Sequence, residues 1–486
     1  MASHAVLPKR GTRDPASTQG DSTHDGCVDD DGYDPGQSST SNQCSLAGDC
    51  DQDDSWMTQK DMALLKALSS NGGPVPGGPR NSHVQLPRLR RLSRAARPVK
   101  FIGEGAANAV FEIEDSGADS DLKGLLLRVS KVPSRNSPPT FKYVLQQKFY
   151  QASIKPILGE YAVHQELVIL RSSGLVDKLN MLLQNIDSTR KEKFRGSFIG
   201  RSDWGFLVED MRPQDPKEYV LIEFKPKWLS QSPSAPKTAI RCRQCAMELR
   251  NFVKDSSKDR MPPDQKPCPL TLLNKGIPAA ASSPFRIAPQ LAKEPNSDHF
   301  RKALESIANH PALHELKAQQ ELHDKLGPLF AKPSESFVLA MTLRDCTCFA
   351  QIHRLRQSIK IRMGDFDRKD PQVKFERWRL AEEELVDGGF YTAEWIRCNG
   401  SFYRSPTLCL LEHSVQSRNR QPHFLDLQVK GKQMEKLPNG NSTKSTAAKP
   451  MLADHDDVVV LQERLKPFKI KGSDPEMALH GNSGFN

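Results

Sequence analysis

The sequence predicts an α+β fold, and three observations predict it. Short runs of strand type come first along the chain and helical patterns follow, without the strict βαβ alternation of a parallel dinucleotide-binding sheet. Apolar residues are concentrated between residues 98 and 413. Residues 1 to 97 and 414 to 486 are instead rich in polar residues, Gly and Pro. Segments of that kind bury too little apolar surface to offset chain entropy, so both tails are expected to be mostly disordered and dispensable for catalysis.

Within the predicted core, "VKFIG" and "AVFEIE" alternate as strands, and "GLLLRVSK" (124 to 131) reads as a third. Between the first two lies the small-residue stretch "GEGAAN", either an ordinary hairpin turn or a loop left bare so that its backbone can lie on phosphates. "LGEYAVHQELVILRSSGLV" has apolar positions at helical spacing, and "KLNMLLQNI" suggests a second helix. "WGFLVEDM" and "EYVLIEFKPKW" are short apolar runs of buried-strand type. "RCRQCAMELRNFVK", "FRKALESIA" and "LHELKAQQELHDKL" read as helices. "SFVLAMTLRDCTCFAQIHRL" reads as strand, loop, strand; "IKIRMGDFDRK" leads into a helix at "FERWRLAEEELVDGG" and a last apolar patch, "SPTLCLLE". In the tail, "VVVLQERLKPFKI" could dock as a final strand or helix.

The 486 residues carry a formal charge of +10, which points to an anionic partner: nucleic acid, a membrane surface or a phosphorylated ligand. The densest basic run, "RLRRLSRAARPVK" (88 to 100), reads as a solvated linker or an accessible nuclear import signal. No run has the length of a membrane span and "MASHAVLPKR" lacks a signal peptide's apolar segment, so an intracellular protein, nuclear or cytoplasmic and not secreted, is expected. Of ten cysteines, Cys242 and Cys245 form one CxxC and Cys346 and Cys348 one CxC. A single CxxC without a matching second pair argues for reduced thiols ahead of a metal site.

The chemistry the residues suggest is phosphoryl transfer. A kinase needs a loop over the nucleotide phosphates, a cation beside them, a carboxylate for magnesium and a second carboxylate near the accepting hydroxyl. "GEGAAN" offers the loop and Arg128 a cation. Glu223, Lys225 and Lys227 alternate in "IEFKPKW", which would turn all three to one strand face, costly unless that face lines a polar cleft. Asp345 follows the apolar "FVLAMTL", and Asp365 and Asp367 follow "IKIRM", each delivered at the end of a buried strand. Hard carboxylate oxygens of this kind suit magnesium.

The set "GEGAAN", "VED", "IEFKPKW", "RCRQC", "CPLTLL", "MTLRDCT" and "GDFDRK", in this order, resembles the inositol-pentakisphosphate 2-kinases, most closely their fungal members, over about residues 98 to 413. The resemblance implies transfer of the ATP γ-phosphate to the 2-hydroxyl of inositol pentakisphosphate, giving inositol hexakisphosphate (phytate). It implies a two-lobed inositol-phosphate-kinase-like fold, a small antiparallel β lobe plus a larger α/β lobe. These are a nucleotide-binding N-lobe at 98–215 and an inositide-binding, catalytic C-lobe at 216–413. By the same resemblance Gly103, Gly105 and Asn108 lie over the nucleotide, Arg128 nears the ATP phosphates, and Glu209 to Met211 form the hinge that meets adenine. Glu223 belongs to the nucleotide side, Lys225 and Lys227 reach phosphates of ATP and inositide, and Lys369 and Arg190 bind inositide phosphates. Asp345 is the catalytic base, with Lys225 beside it in the catalytic set, and Asp365 a Mg2+ ligand.

The chain departs from the pattern at Arg368, where an apolar residue is usual, and at Met247, where many members carry a histidine. "FLDLQVK" (424 to 430) offers a second Asp motif through Asp426, which lacks the helix following 365 to 369. The alternatives are a kinase for another small-molecule alcohol or a non-catalytic, basic polyanion-binding protein. A monomer is expected, with no stable nucleic-acid partner and no membrane.

Overall fold

A computed structural model describes residues 89–469 apart from 118–120, 135–136, 138–140, 256–259, 274–304, 309, 357, 415–422, 430–450 and 454. The tail segments 1–88 and 470–486 lie outside the described residues, as does most of "FRKALESIA".

Mixed helices and sheets make up the fold. Among the described residues three sheets form. The first contains β1 (Arg90–Arg91), β2 (Arg97–Glu104), β3 (Asn108–Glu114), β4 (Leu125–Val132), β5 (Gln165–Ile169), β6 (Phe198–Ile199) and β7 (Trp204–Glu209). Its order is β1-β5-β7-β4-β3-β2, with β6 against β4. The second, β8 (Tyr219–Phe224), β9 (Thr347–His353) and β10 (Ile359–Gly364), is an antiparallel meander with β9 central. The third contains β11 (Trp395–Cys398), β12 (Ser401–Arg404), β13 (Phe424–Val429) and β14 (Met451–Ala453).

The principal helices are α1 (Tyr143–Phe149), α2 (Leu175–Asn185), α3 (Arg243–Lys254), α4 (Pro311–His323), α5 (Glu335–Leu343), α6 (Pro371–Asp387) and α7 (His455–Leu465). Local chemistry sets their starts. Pro opens α4 and α6, where its missing N–H costs nothing, and the Asp370 carboxylate accepts from Gln372 N at 3.0 Å. Ser334 caps α5 by accepting from Phe337 N at 3.2 Å.

Each sheet buries an apolar cluster, and the first also packs Leu167 and Phe206 against Tyr143. Leu175, Leu179 and Leu183 of α2 pack with Phe111, Leu127, Val129 and Leu207 of the first sheet. Leu313, Leu316, Leu339 and Leu343 pack with Cys348, Ala350, Ile352, Ile361 and Met363 of the second. Leu249 and Phe252, Leu385, and Val458, Leu461 and Leu465 close over Ile396 and Tyr403 of the third. Cys346 and Cys348, the CxC pair, are plain core thiols of the second cluster. No helix among the described residues is long and apolar enough to cross a membrane.

Several expectations change. "FVLAMTL" is helix α5 and not a strand: once Ser334 caps the turn, an apolar run buried on all sides satisfies its backbone as a helix, and periodicity cannot tell the two apart. "HQELVIL" is strand β5 and not helix, held between β1 and β7. Left-handed glycines at Gly159 (φ +52°) and Gly174 (φ +67°) bound that stretch and stop a helix from running through it.

The expected core boundaries also shift. The 88–100 run is not a free linker: Leu92 and Ala96 are buried, Arg90 pairs with Glu166 at 3.2 Å, and Lys178 Nζ donates to the Arg94 and Ala96 carbonyls. The run is therefore part of the fold, although Arg94, Arg97 and Lys100 stay exposed on it. Beyond residue 413, β13, β14 and α7 belong to the third sheet and its core, so that part of the tail is folded.

Candidate active site

The site forms where the ends of the second sheet meet the hairpin of the first. Strand β8 ends at Phe224, because Pro226 cannot continue a ladder and Lys227 adopts a left-handed backbone (φ +57°). Lys225 and Lys227 therefore lie past the strand and not on its face, while Glu223 stays on it, exposed and in register with Phe349. The turn after α5 carries Asp345; the residue after β10 is Asp365, also left-handed (φ +64°). Such a conformation costs a non-glycine residue free energy, least for Asp, and two of the four described cases fall in this one cluster.

Three ammonium groups converge on one carboxylate. Lys227 Nζ donates to Asp345 Oδ1 at 3.1 Å, Lys369 Nζ to Asp345 Oδ2 at 3.1 Å, and Lys225 Nζ stands 3.5 Å from Oδ1. Lys225 also donates to the Asp345 carbonyl at 2.7 Å and to Asp365 Oδ2 at 3.1 Å. Burial pushes the half-buried Asp345 carboxyl up, but Lys369, Lys227 and Lys225 outweigh it and hold it down to about 2. The same carboxylates raise Lys225 against its own desolvation.

The first sheet reaches into this cluster. Arg128 of β4, buried, donates to Asp367 Oδ2 at 2.5 Å and lies 3.4 Å from Asp365 Oδ1. Asn108, at the start of β3, donates to Asp367 Oδ2 at 3.0 Å. Desolvation would raise the Asp367 carboxyl, yet Arg128, Lys369 and Asn108 lower it. Asp367 is thus saturated, whereas Asp365 keeps an exposed carboxylate.

The glycine stretch is a tight hairpin, closed by Gly105 N donating to the Asn108 carbonyl at 2.9 Å. Gly105, Ala106 and Ala107 are exposed. Neither Gly103 nor Gly105 has a positive φ, and a Cβ on either would meet nothing within 4 Å. The protein's own packing does not require glycine there.

Glu209 and Met211 lie where the chain passes from the first sheet to the second. Glu209 faces Lys360 at 3.4 Å and Arg362 at 3.8 Å, and the Met211 carbonyl accepts from Gln351 Nε2 at 2.9 Å. Arg190 is not brought to the cluster. Its side chain is 1% exposed and its donors go to Glu104, Asp187 and Ser197, with Glu104 also gripped by Lys131 at 2.7 Å. Met247 likewise packs against the third-sheet core, with its sulfur accepting from Arg250. Arg368 donates to Glu335 of α5 at 2.5 and 3.0 Å, so its charge is neutralised outside the cluster. Asp426 pairs with Arg397 on the adjacent strand at 2.6 and 2.9 Å, far from a second Asp motif in role.

Two supports had no signal in the sequence. Fully buried Gln320 of α4 donates to the Lys227 carbonyl at 3.0 Å and accepts from Leu229 N at 3.1 Å. Two guanidinium groups lie over the Trp228 ring, Arg344 (3.6 Å to its centroid) and Arg243 (4.3 Å). Arg344 is paired with Asp324 at 2.5 Å and Arg243 with Glu382 at 2.6 Å, so both stacked cations are neutralised in the interior.

Comparison with known proteins decides the family. The sequence profile of the inositol-pentakisphosphate 2-kinases matches residues 101–318 and 288–384, together more than half of the chain. The chain belongs to this family. An inositol-pentakisphosphate 2-kinase of Yarrowia lipolytica is 28% identical over 314 residues, 60% of this chain and 92% of that protein. One of Candida glabrata is 25% identical over 285 residues, 55% and 91%. For a member of the inositol-pentakisphosphate 2-kinase family, the matched span includes the glycine hairpin, Arg128, the Lys pair and all three aspartates of the cluster.

Proposed function

We propose that this enzyme transfers the γ-phosphoryl group of ATP to the 2-hydroxyl of inositol 1,3,4,5,6-pentakisphosphate, giving inositol hexakisphosphate. The observation that carries the reading is Asp345 seated among Lys225, Lys227 and Lys369. Each phosphate monoester brings about −1.5 to −2 charges, so the acceptor needs several cations around the hydroxyl that reacts. A neutral alcohol would need neither Lys227 nor Lys369.

In the substrate-free site those lysines are neutralised by Asp345 and Asp365. Phosphates entering the site take over the ammonium groups, and the Asp345 carboxylate then loses the partners that hold it near 2. Its basicity rises only when both substrates are in place, where it accepts the hydrogen bond and then the proton of the 2-hydroxyl. Lys225, between Asp345 and Asp365, serves as a mobile point charge for the phosphoryl group in flight, and Lys227 and Lys369 hold inositide phosphates. The loose transition state asks little covalent work of the protein, so alignment and charge neutralisation supply most of the acceleration.

The first sheet serves as the nucleotide lobe. Gly103, Gly105 and Asn108 cover the phosphates of ATP, Arg128 pairs with them, Glu209 to Met211 meet the base, and Glu223 faces the nucleotide. The second and third sheets form the inositide lobe. Exposed Asp365 fits a magnesium ion in the chemistry of its oxygen donors, whereas Asp367 is spent on Arg128 and Asn108. When bound, the ion would neutralise charge on the ATP phosphates and keep them in line.

Phosphorus NMR of the product made from ATP and the pentakisphosphate tests the reading. The symmetric hexakisphosphate spectrum is expected; a pyrophosphate signal, or turnover of neutral inositol at a comparable rate, would refute it.

A further inference from the structure

We propose that Gln146 is a positioning residue for the reaction assigned above: its side-chain amide grips the backbone of Arg368 and so places Lys369 for the inositide. The inference rests on that reading and adds a residue of the nucleotide lobe to the inositide site.

Gln146 lies in α1, and its amide makes two bonds to one residue 222 positions away. Its Oε1 accepts from Arg368 N at 2.6 Å, and its Nε2 donates to the Arg368 carbonyl at 3.1 Å. An amide side chain offers an acceptor and a donor side by side, so it pairs with Arg368 as a neighbouring strand would. Glu lacks the donor, Lys and Arg the acceptor, and Leu both. The N–H and the carbonyl of Arg368 belong to two different peptide planes, one shared with Asp367 and the other with Lys369. Holding both fixes how the flanking side chains leave the backbone. Residues 365–370 belong to no helix or strand, so no sheet ladder does this instead.

Within this segment Lys369 depends most on the grip. Phe366 is buried in the second-sheet core and seats Asp365 next to it. Asp367 is fixed by Arg128 and Asn108, and the Arg368 guanidinium by Glu335. Lys369 Nζ donates to Asp345, the carboxylate that incoming phosphates displace from it. Once they have done so, its place is set by the backbone. Gln146 holds the residue before it, and Asp370, the cap of α6, follows it.

The helix behind the grip is anchored on several sides. Tyr143 Oη accepts from Ser130 N at 2.7 Å and donates to Ser130 Oγ at 3.2 Å, two residues along β4 from Arg128. Gln147 donates to the Gln165 carbonyl of β5 at 3.2 Å and accepts from the Gln165 side chain at 3.2 Å. Phe149 and the following Tyr150 pack into the second-sheet core. One short helix thus joins the strand that carries Arg128 to the segment that carries Lys369.

Hydrogen exchange and steady-state kinetics of full-length Gln146→Leu test the proposal. In the substrate-free protein the Arg368 amide should exchange about tenfold faster than in the wild type, with the amides of β9 and β10 unchanged. KM for the pentakisphosphate should rise on the order of tenfold, with kcat within about threefold and KM for ATP within about twofold. Added to Lys369→Ala, the same substitution should raise KM for the pentakisphosphate little further, because the two act through one contact. A purely structural loss would lower the melting temperature and leave these ratios unmoved. Gln146→Glu has the same shape, keeps the acceptor and turns an oxygen onto the Arg368 carbonyl; it should give the same split if the leucine variant folds poorly. Unchanged exchange at Arg368, an unchanged KM for the pentakisphosphate, or additive effects with Lys369→Ala would each overturn the proposal. The exchange readout needs no substrate, so failure of the grip and failure of the kinase reading are distinguishable.

Discussion

The side-chain amide of Gln320 donates to the main-chain carbonyl of Lys227 at 3.0 Å, tying a helix of the interior to a lysine whose backbone is left-handed. The same amide's oxygen takes the Leu229 N–H at 3.1 Å. A lysine gains nothing from that conformation by itself. The contact accounts for how the chain turns sharply after Pro226 and brings Lys227 Nζ to Asp345.

Gln320→Leu keeps the volume and removes both bonds. Each buried group left unpaired costs about 1–3 kcal/mol, so thermal melting should fall by several degrees. With Lys227 free to relax, kcat/KM for the inositide should fall on the order of tenfold or more. A melting point lowered without any change in kcat/KM would show that Gln320 supports the fold alone.

Gly105→Ala separates a packing glycine from a ligand-facing one. Its added Cβ meets nothing within 4 Å and its φ is negative, so melting should be unchanged. If the hairpin covers ATP phosphates, the extra methyl should raise KM for ATP several-fold. An unchanged KM for ATP would remove the cover role.

Ending the chain at residue 413 should destabilise it. That cut removes Val458, Leu461 and Leu465, all buried against the third sheet, and each fully buried aliphatic side chain contributes about 1.5–3 kcal/mol. The shortened protein should be insoluble or melt far below the full chain. A truncation with a native melting point and full turnover would contradict the placement of α7.

The sequence carried the site better than the fold that holds it. Asp345, Asp365, Lys225, Lys227 and Arg128 stood out because phosphoryl transfer demands those residue types, Lys369 and Asn108 only through the family resemblance, and the structure gathers all seven. What escaped was tertiary. An apolar run such as "FVLAMTL" carries no period, so its helix depended on Ser334 and on burial all round. Arg190 reads as a cation for phosphate until Glu104 is seen lying against it, 86 residues away in sequence. "VVVLQERL" looks like a stray tail segment because its partners, Ile396 and Leu249, lie 60 and more residues earlier. The CxxC reads as an isolated pair because the two thiols that join it in one buried cluster, Cys268 and Cys409, lie in separate segments.

The Asp345 carboxyl also predicts a pH dependence. Burial pushes it up and the three lysines pull it further down, to about 2. A group depressed on folding contributes stability that is complete above its unfolded value, about 3.9, and is lost as pH falls through the folded value. Melting curves of the substrate-free protein should show the wild type losing ground to Asp345→Asn between about pH 5 and pH 2. A difference constant across that window would mean the lysines do not hold the carboxylate in solution.

Paired binding and single-turnover measurements on Asp345→Asn test the central claim most directly. The variant keeps the shape and removes the base, so it should bind the pentakisphosphate as tightly as the wild type or more tightly, having lost a carboxylate that competes for Lys225, Lys227 and Lys369. Formation of hexakisphosphate on the enzyme, with ATP and magnesium saturating, should slow by roughly 10²-fold or more. Near-normal product formation by Asp345→Asn would contradict the assignment of Asp345 as the base, and with it the reading of the lysine cluster around it.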